Sequence, residues 1–303
     1  MKVRTRLTLA ASGATSAECT VSSVGTGIAA LLELLDLEPI EVNIFRAGTL
    51  EELTLRVFGG QVAAQALVAA GRTVGRGTVH SLHAYFLRPG DPRTPILYEV
   101  DRIRDGRSFT TRRVVAIQHG EAIFNLQASF HTSEEGIDHA AEMPSAPAPE
   151  SLPTLAERAG AATPAVFVAA HGLDVRFVGE LPWQRSAPAS RQQLWLRTEA
   201  PIADDPLLHA AVATFASDLT LVDTILERHG YSPWDPAFIG ASLDHCMWFH
   251  RPFRADEWLF YDQTSPSASA GRGLATGSLF ARDGRLVASV VQEGLVRFRS
   301  RAT

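Results

Sequence analysis

The stretch Val79-His-Ser-Leu-His-Ala-Tyr-Phe-Leu-Arg-Pro89 returns in altered form as Ala241-Ser-Leu-Asp-His-Cys-Met-Trp-Phe-His-Arg-Pro252. Phe86-Leu-Arg-Pro89 and Phe249-His-Arg-Pro252 are offset by 163 residues (249 − 86), and the turn signals His119-Gly120 and Asp283-Gly284 by 164 (283 − 119). A near-constant offset over half a chain means two copies of one structural unit in tandem, so the fold of one half constrains the other. The 303 residues, 46% of them hydrophobic and 20% charged, suffice for one large core or two ordinary ones.

The unit can be read from its periodicities. Phe58-Gly-Gly-Gln-Val-Ala-Ala-Gln-Ala-Leu-Val-Ala-Ala70 starts with two glycines and continues as small apolar residues on every face, which predicts a helix over 60–71 buried on all sides. Its alanines let other backbone approach closely, as a sheet wrapped around the helix requires. Segments 79–87, 95–104, 108–117 and 121–131 alternate as strands between turn signals. The second half repeats the plan: strands near 173–178 and 192–198, an Ala-rich helix over 207–229, then strands near 240–249, 256–264, 270–281 and 285–297. Ile28, Leu31, Leu32, Leu34 and Leu35 form a short amphipathic helix before Pro39. The expected organisation is therefore a tail at 1–26, a first unit at 27–132, a Pro- and Ala-rich linker at 133–172 containing Met-Pro-Ser-Ala-Pro-Ala-Pro149, and a second unit at 173–300. The tail carries Lys2, Arg4 and Arg6 ahead of a short, interrupted apolar patch, and reads as disordered rather than as a cleaved signal.

Several function classes drop out. A net charge of −5 leaves no basic excess to hold a nucleic acid backbone, and no apolar run reaches the roughly 20 residues that span a bilayer. Cys19 and Cys246 cannot build a disulfide framework and lack metal-ligand spacing; a reducing, cytoplasmic setting with no metal and no cofactor is the expectation.

The halves differ where chemistry is expected. Ser242 matches Val79 and Gln292 matches Ala128, so only the second half keeps polar groups at these positions. Gln292 shares strand parity with Leu286, Ala288, Val290 and Val296, which points an amide into an apolar face, where an unmet hydrogen bond costs about 1–3 kcal/mol. Asp218 sits inside the apolar helix sequence and needs donors or a proton. By pattern alone Asp218 fits either catalysis or a structural network, while structural roles suit Gln292 and Ser242 better. Asp223, about 140° further round a continuous helix, is expected to face solvent or a turn. Gly240-Ala-Ser242-Leu-Asp244 lacks the final Gly of a nucleophile elbow. His80, His83, His245 and His250 read as packed or interfacial, Trp248, Phe249 and Phe253 as core aromatics, and Arg88 and Arg251 as structural ion-pair residues. Gly59-Gly60 alone is weak evidence for a carbonyl or phosphate site.

With FGGQ, HSLHAYFLRPGD, MPSAPAP, ASD, LDHCMWFHRPF and VQEGLVR in this order over residues 27 to 298, the chain closely resembles the acyl-CoA thioesterase II family. The resemblance implies an α+β double hotdog, each unit a long helix wrapped by an antiparallel sheet. It implies hydrolysis of fatty acyl-CoA to free acid and coenzyme A by a water oriented by Asp218, Ser242 and Gln292, and a further homodimer or homotetramer. Ser242 stands where some members have Thr, keeping the hydroxyl and losing a methyl. The fold is shared by acyl thioester dehydratases and hydratases, and a non-catalytic acyl-CoA binder is a third reading. Dehydratases of this architecture carry a His followed by Gly four residues later, a spacing that His80, His83, His245 and His250 all lack.

Overall fold

The computed structural model describes residues 27–49, 56–159, 172–185 and 187–299, so the tail at 1–26 and part of the linker region lie outside the described residues. Helix α2 (Gly59–Gly71) is buried along its length from Gly60 to Ala70. Helix α4 (Pro206–Ser217), which follows a short α3 (Leu155–Ala159), is buried from His209 onward. These two helices pack on each other: a Cβ on Gly60 would meet the Phe215 carbonyl oxygen, and one on Gly71 would meet the Leu207 side chain, so the N-terminal end of each lies at the C-terminal end of the other. Small residues make this approach possible, and burial of the surrounding Leu, Val and Phe side chains stabilises the pair by roughly 1.5–3 kcal/mol per side chain.

Around this helical pair runs one 13-stranded sheet in which every pairing is antiparallel. The first half supplies β3 (Thr78–Phe86), β4 (Ile96–Asp105), β5 (Phe109–Gln118) and β6 (Glu121–His131); the second supplies β7 (Leu173–Val178), β8 (Arg191–Thr198), β9 (Phe238–Ser242), β10 (Asp244–Phe249), β11 (Leu259–Ser269), β12 (Arg272–Ala281) and β13 (Leu286–Phe298). Strands β3 and β10, the two copies of the repeated motif, pair with each other and make the two sheets continuous, with Asp244 opposite Tyr85 and Trp248 opposite Ser81. This is the tandem helix-in-sheet architecture expected of a double hotdog.

Four features depart from the sequence reading. Helix α1 (Ile28–Leu35) is followed by a hairpin of β1 (Glu38–Glu41) and β2 (Ile44–Ala47), with Pro39 tolerated because β1 is the sheet's edge. Strand 240–249 is split at Leu243. Trp248 stands outside the core, its ring edge-on to His83 at 5.1 Å, because it shares parity with Cys246 rather than with the buried His245 and Met247. The helix expected over 207–229 stops at Ser217, turns through Asp218–Val222, and resumes as α5 (Asp223–Glu227).

Tertiary hydrogen bonds explain that last break. The Tyr261 hydroxyl donates to the Ser217 carbonyl at 3.1 Å and Gln192 Nε2 to the Thr220 carbonyl at 3.4 Å, so side chains from the sheet take carbonyls that a continuous helix would use itself. Gln263 braces the same turn, donating to Thr220 Oγ1 at 2.6 Å and accepting from Thr224 Oγ1 at 3.0 Å. The break also resets the helical phase, which corrects the expectation for Asp223: the carboxyl is half-buried, and its burial beside Glu227 and Asp218 pushes its pKa well above the usual range.

Candidate active site

Asp218 caps the C-terminal end of α4 with helical backbone angles, φ −86° and ψ −7°. Its carboxylate is turned towards the N-terminal end of α2, where a Cβ on Gly59 would lie 2.8 Å from Oδ2. Burial pushes its pKa up, opposed by His245, the Gln292 amide, the Gly60 backbone N–H and the Ser242 hydroxyl. A carboxylate in this setting has donors on several sides but little water, and it holds a proton more readily than an exposed Asp.

Gln292 lies on the inward face of β13 and is fully buried. Its Nε2 donates to Asp218 Oδ1 at 2.6 Å and to Ser242 Oγ at 2.7 Å, which uses both amide hydrogens. Ser242 Oγ stands 3.4 Å from Asp218 Oδ1. The three residues named from the sequence thus meet at one point, although they come from the end of a helix and two strands.

The fourth member is His245, which the sequence reading placed among packed histidines. It is fully buried, with Nδ1 3.0 Å from Gln292 Oε1 and Nε2 2.9 Å from Ser217 Oγ. Ser242 and His245 are three apart, and in a regular strand they would point to opposite faces. They share one face because β13 pairs Gly294 with Ser242 but Val291 with Cys246, a slip of one residue at Leu243–Asp244. Asp244 Oδ1 takes the Glu293 N–H at 2.6 Å, stabilising this bulge. The same slip occurs in the first half between Val79 and Ser81, where the corresponding side chains are the buried Val79 and Leu82. The sequence signal that could have found His245 was its match to an apolar residue, the criterion that had singled out Gln292.

Asp218 and Ser242 border a pocket of about 830 Å³, and Gln292 lies behind them. Phe58, Val62, Phe86 and Phe124 from the first half supply apolar wall, while Arg56, Arg88 and Trp234 line it elsewhere. Arg88 also pairs with Glu121 at 3.2 Å, and Arg251 is engaged with Asp138 and the Leu286 carbonyl. The other three histidines singled out from the sequence lie apart from this network: His80 bonds to Ser129, His83 meets Trp248 edge to face and His250 bonds to Ser289. Among the described residues there is no cluster of His, Cys, Asp and Glu fit to hold a metal ion, and no helix is long and apolar enough to cross a membrane.

The family model for acyl-CoA thioesterase matches residues 175–295, and that for the acyl-CoA thioesterase N-terminal domain matches residues 47–131. Acyl-coenzyme A thioesterase 8 of Homo sapiens is 38% identical over 285 residues, covering 88% of each chain. The chain belongs to the acyl-CoA thioesterase family. It is therefore a thioester hydrolase. The crystal structure of an acyl-CoA thioesterase II, TesB2, from Mycobacterium marinum is similar to this thioesterase at 48% identity and a TM-score of 0.75, over 90% of this chain and 99% of that one. A conserved protein with hot dog fold from Alicyclobacillus acidocaldarius superposes with a TM-score of 0.74 over 88% of this chain and 97% of its own. At 20% identity that likeness bears on the fold alone.

Proposed function

We propose that this thioesterase hydrolyses fatty acyl-CoA by direct attack of a water held at Asp218 and Ser242. The observation that carries the reading is the Gln292 amide, which donates to both side chains and fixes them as one unit at the wall of an apolar pocket. Because Gln292 spends its hydrogens on Asp218 and Ser242, it orients the water's partners rather than the water itself. Ser242 Oγ accepts from Gln292 and donates its own hydrogen to Asp218 Oδ1 over a long 3.4 Å, a bond it exchanges for the water or the substrate carbonyl when either is bound.

Asp218 draws a proton from the water as its oxygen bonds to the thioester carbonyl carbon. The tetrahedral intermediate then collapses, the carbon–sulfur bond breaks with its electron pair on sulfur, and the proton held by Asp218 passes to the departing thiolate. A raised carboxylate pKa suits both steps, since a base nearer the working pH takes and returns a proton with less cost. The thiolate is a good leaving group, so no covalent enzyme intermediate is needed. The acyl chain lies against Phe58, Val62, Phe86 and Phe124, and the coenzyme leaves through the pocket mouth.

The test is coenzyme A release, measured as free thiol across acyl-CoA lengths. Asp218→Asn keeps the shape and removes the base, and turnover falls by about 10² or more while binding changes little. Near-normal release by a folded Asp218→Asn variant overturns the mechanism.

A further inference from the structure

We propose that His245 is a positioning residue of this site: its Nδ1–H holds the Gln292 carbonyl oxygen, so that the amide's two N–H groups face Asp218 and Ser242. The inference rests on the water mechanism above and extends it by one residue. An amide can turn through 180° at little intrinsic cost, and turning Gln292 would set its oxygen against the Asp218 carboxylate. Within the site, the group that distinguishes the two orientations from the other side is His245, 3.0 Å from Oε1.

Proton positions then follow in sequence. An ionised Asp218 only accepts, so Gln292 must present its NH2 there and its oxygen to His245. The imidazole must carry its hydrogen on Nδ1, and Nε2 is then an acceptor for the Ser217 hydroxyl at 2.9 Å, sharing that one hydrogen with the Thr214 carbonyl at 2.9 Å. Burial lowers the His245 pKa, against the opposing influence of Asp218, Gln292 and Asp244, in keeping with a neutral ring. Ser217 immediately precedes Asp218, so the relay begins and ends on the same turn of chain.

The repeat supplies an internal comparison. Where the second half has His245 and Gln292, the first has Leu82 paired with Ala128, both fully buried and serving packing alone. A core that needed only volume at this place is thus built from Leu. An imidazole there carries a desolvation cost that its two hydrogen bonds must offset.

The experiment compares His245→Leu, which installs the first-half residue, with His245→Asn, whose amide N–H can stand where Nδ1–H stood. Turnover and KM are measured by thiol release, with thermal unfolding as the control for folding. In the Leu variant turnover falls by about 10- to 100-fold, since misplacing a group at the reacting centre by near 1 Å can cost about 10² in rate, with KM changed little. The Asn variant recovers a large part of it. In a Gln292→Ala background the Leu substitution has almost no further effect on turnover, because the amide it orients is gone. A folded His245→Leu variant with full turnover, a His245→Asn variant no more active than His245→Leu, or equal and additive losses with and without Gln292, overturns the inference while Asp218→Asn still tests the mechanism. If Gln292→Ala itself is as active as the wild type, the failure lies in the underlying mechanism instead.

Discussion

Gly59, the first residue of α2, and Asp218, at the end of α4, meet across the boundary between the two halves, so close that a Cβ on Gly59 would come within 2.8 Å of Asp218 Oδ2. The site is therefore shared: the carboxylate comes from one copy of the repeat, and the helix start against it from the other. A methyl group at Gly59 would also meet Phe86 Cε1 at 2.8 Å, so the strain falls on the carboxylate and on an aromatic wall of the pocket. Gly59→Ala is expected to lower turnover at least about tenfold while the chain remains folded, since a displacement near 1 Å can cost about 10² in rate. Thiol release and thermal unfolding measured on the same preparation check this.

The pH profile should follow Asp218. Burial raises its pKa above the ordinary 3.8, so the base is lost by protonation at a higher pH than for an exposed Asp. The acid limb of kcat/KM is expected to lie above that value and to be absent from the residual activity of Asp218→Asn. An acid limb unchanged in that variant would assign it to another group.

Gln292→Ala and Ser242→Ala should each reduce turnover less than Asp218→Asn, and combining either with Asp218→Asn should add little. Groups that orient one water act as a unit, so the second loss removes what the first has already disabled. The control is Gln127, an exposed amide next to Ala128, the first-half counterpart of Gln292. Gln127→Ala should leave thiol release near the wild-type rate.

Glu227 makes a stability prediction independent of the chemistry. Its pKa is raised from 4.5 to about 7 by burial, opposed by Arg185, whose Nη2 stands 3.5 Å away, and among the described residues neither carboxyl oxygen has a hydrogen-bond donor. The folded state binds this proton more tightly than the unfolded one. The stabilisation is thus complete below about pH 4.5 and is lost as pH rises to about 7. Glu227→Gln is expected to match the wild type near pH 4.5 and to exceed it by roughly 3 kcal/mol at pH 8, the linkage value for such a shift. Urea unfolding at the two pH values measures the difference.

The repeat, the two small-residue helices and the alternating strands were legible from sequence because they rest on local periodicity and on comparison of one half with the other. Ser242 and Gln292 stood out by the same comparison, Asp218 as a carboxylate inside an apolar helix sequence, and the resemblance joined the three. The edge hairpin β1–β2 escaped because four-residue strands carry too few alternations to read.

What the sequence determined by itself was the inward faces of the two small-residue helices and of the long alternating strands, since burial there follows from composition and period along one element. What only the tertiary structure decided was which of them touch. The end of α4 at Ser217 is set by Tyr261 and Gln192, far away in the chain, and that break turns Asp223 inward. The one-residue slip beside Leu243 brings Ser242 and His245 to one face, a geometry no alternation rule contains. His245 could be read as a packed histidine because a buried imidazole looks the same in sequence whatever it bonds to; its partner, Gln292, is chosen by strand pairing. Local propensity assigns a residue to an element, but a hydrogen bond a few ångströms long depends on how distant elements register, and that is settled only when the sheet closes around the helices.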